Sequence, residues 1–347
     1  MKYNPQMLKL AREIRGFTQS QLSEIMEVAQ GTISKVEKKI MNFDEELASK
    51  ASECLYFPLS FFQNEEEIIP IQGEHRKKLS ASVKDYNANQ AKMTIVERQL
   101  IKLFDGIVLS ENEIPVWDVE VEGSPKMCAQ FLRKYWKLPR GRVENVSLIV
   151  EKYGAIILPL NLKDMDGFSM YTTNGIPLIF INKNLPPDRY RLTIAHELGH
   201  IIMHLSFLVP EDRDKEKEAF EFAVEFLMPE HEIIEQLVKL NLSKLSSLKS
   251  YWKVSMASLL MRAKALGTMT ENQLRYLWQQ LGSQGYRLNE PLLFQSEQPI
   301  VLGQIIEAYL EDMGYSEDEL ASMLDLYIDD FYEIYLNRKI SYLKRVR

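Results

Sequence analysis

The sequence is poor in cysteine, poor in histidine and lacks long apolar runs, and each shortage removes a class of protein. Its two cysteines, Cys54 and Cys128, stand far apart with no CxxC spacing, which argues against a disulfide framework and a thiolate zinc site. No stretch reaches the ~18 consecutive apolar residues that a membrane span needs, and the N-terminus carries no apolar leader core. No membrane role is expected, and a reducing cytoplasm is the expected location. Neither sign of charge dominates: 42 Lys and Arg stand against 49 Asp and Glu, a net of −7, so the whole chain is not a generic binder of polyanions. What remains is the balance of an ordinary globular protein, 46% hydrophobic and 26% charged. Its 347 residues suffice for two or three domains at ~100 to 200 residues each.

Local charge departs from the average at the start. Residues 1 to 43 hold seven Lys or Arg (Lys2, Lys9, Arg12, Arg15, Lys35, Lys38, Lys39) against four Glu (Glu13, Glu24, Glu27, Glu37). The same stretch breaks into short amphipathic helices, with Leu8, Ala11 and Ile14, then Leu22, Ile25 and Met26, then Ile33 and Val36, then Leu47, Ala51 and Leu55 on successive apolar faces. Thr18-Gln19-Ser20-Gln21 has the form of a capping box and predicts the start of the second helix. A third helix begins near Ala29-Gln30, leaving only a short turn at Glu27-Val28, which is the spacing of a helix-turn-helix.

In such a unit the second of the paired helices enters the DNA major groove with its N-terminal side chains at base edges. Those side chains are Gln30, Thr32, Ser34 and Lys35. Glutamine pairs bidentately with adenine, while Thr, Ser and Lys serve bases or phosphates. A helical docking module without DNA binding would share the apolar periodicity, but it would need neither these polar residues nor the surrounding Lys and Arg. The pattern Thr18-Gln19, Leu22, Ile25, then Gln30, Ile33-Ser34 and Glu37 resembles the phage-repressor-like XRE family of helix-turn-helix domains. That resemblance implies that Gln19 holds a phosphate and Gln30 reads a base, and a domain of this kind is expected to work as a homodimer on two half-sites of double-stranded DNA.

Gln63 to Glu67 and Pro70 to Gly73 interrupt the helical pattern and mark an exit from the first domain. The basic run His75-Arg76-Lys77-Lys78 that follows is read as a solvated linker. Met93, Val96, Leu100 and Leu103 then recur at helical spacing and predict a connecting or dimerising helix.

Three short β-rich runs, Ala155 to Pro159, Phe168 to Thr172 and Leu178 to Ile181, are each bounded by turn formers and predict a small antiparallel sheet. Immediately after them comes Leu192-Thr193-Ile194-Ala195-His196-Glu197-Leu198-Gly199-His200. Residues four apart share one helix face, so His196 and His200 can offer both imidazoles to one Zn²⁺, with Glu197 beside them as general base. Zinc polarises a carbonyl and brings the pKa of water toward ~7, the chemistry of amide hydrolysis at neutral pH. The motif is short enough to arise by chance, but three of the five histidines fall within nine residues, and the apolar flanks predict a buried helix that needs a reason to carry them.

A catalytic zinc site keeps three protein ligands and an open position. His204 lies another turn along, and a straight helix advances ~6 Å per four residues, too far for a third ligand to the same ion. It is expected to pack or to support a ligand. The amphipathic helix from Glu216 to Phe226 offers Glu216 or Glu218 instead. Arg189 and Arg191 are candidates for an oxyanion and equally for pairing with nearby acids. His231 reads as an exposed residue at a helix start.

Arg191 to His200, followed by Glu216, Ala219, Phe222-Ala223 and Phe226-Leu-Met-Pro229, resembles the ImmA/IrrE family of metallopeptidases, over roughly residues 110 to 290. Trp136-Lys-Leu-Pro139, the strand ending Phe180-Ile-Asn182, Trp252-Lys-Val-Ser-Met256 and Glu290-Pro291 belong to the same likeness. It implies that Glu216 is the third, gluzincin-like ligand, with Glu218 the other candidate. Phe220 departs from the family, which usually has Asn there, a change that bears on how the ligands are oriented. The resemblance implies a zinc endopeptidase that cleaves a specific regulator, such as a repressor or antitoxin. Mn²⁺ or Fe²⁺ also suits a His/His/Glu set. A non-proteolytic regulator that senses a metal, ligand or partner, and a toxin or phage-defence component of a two-gene system, are the alternative readings.

The expected architecture is multidomain and mainly α. An all-α helix-turn-helix bundle spans 1–65, a linker with a connecting helix 66–112, an α+β zincin-like metallopeptidase domain 113–291 and a helical C-terminal segment 292–347.

Overall fold

Residues 2–63, 68, 82–109, 111–287 and 289–336 are described by a computed structural model. The His75 to Lys78 run and the basic residues from Arg338 to Arg347 lie outside the described residues. The chain forms two units, one built from residues 1–109, 162–165 and 301–347, the other from 110–161 and 166–300.

The first unit opens with α1 (Pro5–Ile14), α2 (Gln19–Ile25), α3 (Gln30–Glu37), α4 (Glu45–Leu55) and α5 (Leu59–Phe62). Thr18 and Gln21 form the expected capping box at the start of α2. The turn before α3 is tight because Glu27 takes a left-handed conformation, φ 54°. Leu8, Ala11, Leu22, Ile33, Val36, Ala51 and Leu55 meet in the core.

Helix α6 (Val83–Phe104) is not a free connector. It packs on α1 and buries Met93, Val96, Leu100 and Leu103. The helices at Val301–Glu307, Glu317–Met323 and Ile328–Phe331 belong to this unit too. The amide of Gln99 donates to the Leu324 carbonyl at 2.8 Å and accepts from the Tyr335 hydroxyl at 2.9 Å, while Lys102 pairs with Asp325 at 2.6 Å. Arg15 reaches Asp330 at 2.8 Å. A connector and a separate C-terminal segment were expected here. The C-terminal stretch meets α6 through these polar groups and through the Leu103 carbonyl, which accepts from the Tyr309 hydroxyl at 2.9 Å.

The second unit begins with α7 (Val119–Glu122), α8 (Pro125–Tyr135) and α9 (Val146–Lys152), then β1 (Ile156–Leu160), β2 (Gly167–Tyr171) and β3 (Pro177–Asn182). The sheet is mixed, in the order β1-β3-β2, rather than antiparallel throughout. β2 and β3 form a hairpin with Ser169 opposite Ile179, closed by a turn in which Gly175 has φ 76°. β3 then inserts beside β1 in parallel, with Leu158 opposite Phe180. Strand composition reports burial and turn position but not the direction of a neighbour, so the parallel pair is a correction from structure.

Helix α10 (Pro187–Met203) follows, with Pro187 in its first turn, where a missing N–H costs nothing. It lies on β2, β3 and α9 and packs along α11 (Lys215–Leu227), which in turn packs on α8. Ile194, Ala195, Leu198, Ile201, Ile202 and Met203 are fully buried, so α10 is the central helix of the unit. The remaining helices are α12 (Glu230–Ile233), α13 (Leu242–Trp252), α14 (Met256–Ala265) and α15 (Glu271–Ser283). Glu290 accepts from the backbone of Met256 at 2.8 Å and from buried Lys249 at 2.7 Å, and so anchors the start of α14.

Arg191 is buried at the start of α10 and pairs with Glu297, which also accepts from the backbone and hydroxyl of Ser147 at 2.8 and 3.1 Å. Its other amino group donates to the Val143 carbonyl at 2.6 Å. Among the described residues no helix is long and apolar enough to cross a membrane.

Candidate metal centre

The centre is made by the meeting of α10 and α11, and two small residues allow it. A Cβ on Gly199 would lie 3.0 Å from Cδ1 of Phe222 and 3.3 Å from Cα of Ala219, so the helices touch almost backbone to backbone between the two histidines. That close approach carries Glu216 to His196 and His200. The histidines present Nε2 to one another at 3.1 Å, and the Glu216 carboxylate stands 3.4 Å from His196 Nε2 and 3.5 Å from His200 Nε2. One ligand atom from each of the three lies within 4.8 Å of the others.

Two imidazoles and one carboxylate converging from two helices match the donor set of a catalytic zinc site. Access is one-sided. The His200 side chain is 4% exposed, against 18% for His196 and 34% for Glu216.

Glu197 is 3% exposed and points to β2. The Ser169 hydroxyl donates to its Oε2 at 2.7 Å. A Cβ on Gly167, two residues earlier on the same strand face, would stand 2.6 Å from Thr193 Cγ2 and 3.1 Å from Glu197 Oε1. The strand backbone therefore forms one wall of the pocket that holds the carboxylate.

Glu218 does not join the three. Its Oε1 accepts from Arg213 Nε at 3.0 Å and its Oε2 from His204 Nε2 at 2.8 Å. Burial pulls the Glu218 carboxyl up, but the hydrogen bonds and charge of Arg213 and His204 outweigh it and hold the group below its ordinary value. Burial drives His204 down to about 4 against the opposing pull of Glu218. His204 caps α10, and its Nδ1 faces Nδ1 of His200 at 3.0 Å.

Phe220 is 48% exposed on α11. Arg189 pairs with Asp166 at 2.7 Å, Arg191 with Glu297, and His231 lies on the surface beside Glu232 at 3.3 Å.

Sequence reasoning missed Ser169 and Arg213. The alternation of small residues Gly167 and Ser169 in a strand just before the histidine helix was the available signal for the first. Nothing in the pattern pointed to the second.

Residues 150–264 match the family model of the IrrE N-terminal-like domain. The matched stretch takes in the sheet, both helices of the centre and α14 as far as Lys264. Residues 8–62 match a helix-turn-helix model. Here Gln19 donates to Glu37 at 2.8 Å and accepts from Gln30 at 3.4 Å, while Arg12 holds the other Glu37 oxygen at 2.6 Å. Gln19 and Gln30 are thus brought together ahead of α3. Gln30 and Lys35 are exposed, and Thr32 and Ser34 are half-buried. A solved structure, Bacillus thuringiensis PlcR in complex with the peptide PapR7 and DNA, is 13% identical over 97% of this chain and 98% of that chain, at a TM-score of 0.17. No curated protein matches the chain.

Proposed function

We propose that the chain is a zinc-dependent endopeptidase with its own DNA-binding module, acting in the cytoplasm on one regulatory protein, a repressor or an antitoxin. The observation that carries this reading is the convergence of His196, His200 and Glu216 beside a buried Glu197, within a stretch that matches the IrrE N-terminal-like domain.

The three side chains would hold the metal. A Zn²⁺ ion there, or Mn²⁺ or Fe²⁺ in its place, supplies a Lewis acid that polarises the peptide carbonyl and acidifies water. Glu197 has Oε2 occupied by Ser169, which leaves Oε1 to take the proton from water and deliver it to the leaving amine.

The helix-turn-helix would place Gln30, Thr32, Ser34 and Lys35 in the major groove of double-stranded DNA, as one half of a homodimer, with Gln19 on a phosphate. Binding near an operator raises the effective concentration of the peptidase around a repressor bound at the same site.

The test compares cells expressing the wild type with cells expressing Glu197→Gln, scored for new protein N-termini. A regulator cut only in the presence of the wild type supports the proposal, and its identity tells a repressor from the antitoxin of a two-gene system. Equal termini, with DNA binding intact in both, would replace it with a regulator that senses a metal, ligand or partner without cleaving anything.

A further inference from the structure

Three histidines stand one turn apart on α10, and two of them face Glu216. The third, His204, is 7% exposed and faces the other way along a chain of polar groups. His200 Nδ1 lies 3.0 Å from His204 Nδ1, His204 Nε2 lies 2.8 Å from Glu218 Oε2, and Arg213 closes on both oxygens of Glu218, at 3.0 Å from Nε and 2.5 Å from Nη2.

The proton positions along this chain follow from what each group can do. A carboxylate paired with arginine only accepts, so His204 Nε2 donates to Glu218. With that N–H on Nε2, His204 offers Nδ1 as an acceptor, and the atom facing it, His200 Nδ1, donates. His200 then carries its proton on Nδ1 and its lone pair on Nε2, the atom turned toward His196 and Glu216.

We propose that the Arg213–Glu218–His204 chain is a positioning device that holds His200 in its Nδ1–H tautomer and presents the Nε2 lone pair to the metal centre. Histidine ligands commonly donate the distal N–H to a carboxylate, which orients the ring and raises its basicity. Here a second histidine is interposed between ligand and carboxylate. The device separates the work of two acids on one helix: Glu216 faces the centre, and Glu218 supports it from behind. The proposal rests on the metal-centre reading for its purpose, while its proton arrangement is measurable without metal.

The experiment uses the full chain, labelled with ¹⁵N at histidine, with Zn²⁺ as the probe. Long-range ¹H–¹⁵N couplings should place the proton of His200 on Nδ1 and that of His204 on Nε2. Chelator competition should show that His204→Phe weakens Zn²⁺ binding roughly 10- to 100-fold, with Glu218→Gln weaker in the same direction. The double variant should bind no more weakly than His204→Phe alone, because both changes break one chain. A merely structural role would lower thermal stability and leave Zn²⁺ affinity where it was. A proton on Nδ1 of His204, or a folded His204→Phe that binds Zn²⁺ as the wild type does, overturns the proposal. Should His204→Phe fail to fold, the wild-type tautomers decide. A wild type that takes up no Zn²⁺ would sink the metal reading instead, and the tautomers of the metal-free protein would still support or overturn the chain.

Discussion

The hydroxyl of Ser169 donates to Oε2 of Glu197 at 2.7 Å, joining an edge strand to the helix of the metal centre, with both residues buried. A general base must present one oxygen in a set direction, and a misplacement of about 1 Å can cost on the order of a hundredfold in rate. Ser169→Ala is therefore expected to lower turnover of the cleaved regulator roughly 10- to 100-fold. KM and bound Zn²⁺ should stay at wild-type values, because no ligand is touched. Steady-state kinetics and metal analysis check this together, and loss of Zn²⁺ from Ser169→Ala would mean that the serine supports the ligands rather than the base.

Glu297 is the buried counter-charge of Arg191, and Ser147 donates to it as well. Removing one member of such a pair strands the other without water, so Glu297→Ala should destabilise the second unit by about 3–5 kcal/mol in denaturant titrations. Replacing both members by apolar residues, Arg191→Met with Glu297→Leu, should cost far less. Equal losses in the single and double variants would show that packing, rather than the unpaired charge, sets the cost.

Glu97 on α6 is raised from 4.5 by burial, partly offset by the charge of Arg98. The folded state therefore keeps this proton to higher pH than the unfolded state does. The stability linked to it is fully present below 4.5 and is lost as pH rises through the raised value. Glu97→Gln should raise the melting temperature at neutral pH and leave it nearly unchanged under acid conditions. A variant that melts lower than the wild type at neutral pH would show that the charged form is the one the fold favours.

Gln30 stands in the first turn of α3, steadied by Gln19. With DNA selected from a random pool, Gln30→Ala should lose about 1–3 kcal/mol of preference at one base position. Lys35→Ala should weaken all sequences alike and flatten the salt dependence by about one unit of slope. Binding by Gln30→Ala with unchanged base preference would remove that residue from base readout.

What could be read in advance was local. The capping box of Thr18 and Gln21 and the four-residue step from His196 to His200 depend on one helix each, so spacing alone reveals them. Ser169 acquires its place only through the register of β2 and the packing of α10 on the sheet. The same limit explains the parallel pairing of β1 with β3. It also explains why spacing could not choose between Glu216 and Glu218: the choice depends on where α11 begins after the chain leaves α10. The burial of Gln99 between Leu324 and Tyr335 lies further still from anything periodic, since its partners are more than two hundred residues away.

The first unit is assembled from three stretches, 1–109, 162–165 and 301–347, so the chain leaves it and returns twice. A helix-turn-helix appended as a simple leader could be gained or lost in one gene fusion. This one could not. An exchange of the first 65 residues between genes would carry away α1 to α5 and leave α6 and the helices after residue 300 with the partners of a different ancestor. Arg15 and Asp330 would then be inherited from separate parents. Recombination would be penalised at the 65/66 junction, so the three stretches of the first unit should travel through evolution as a single heritable block.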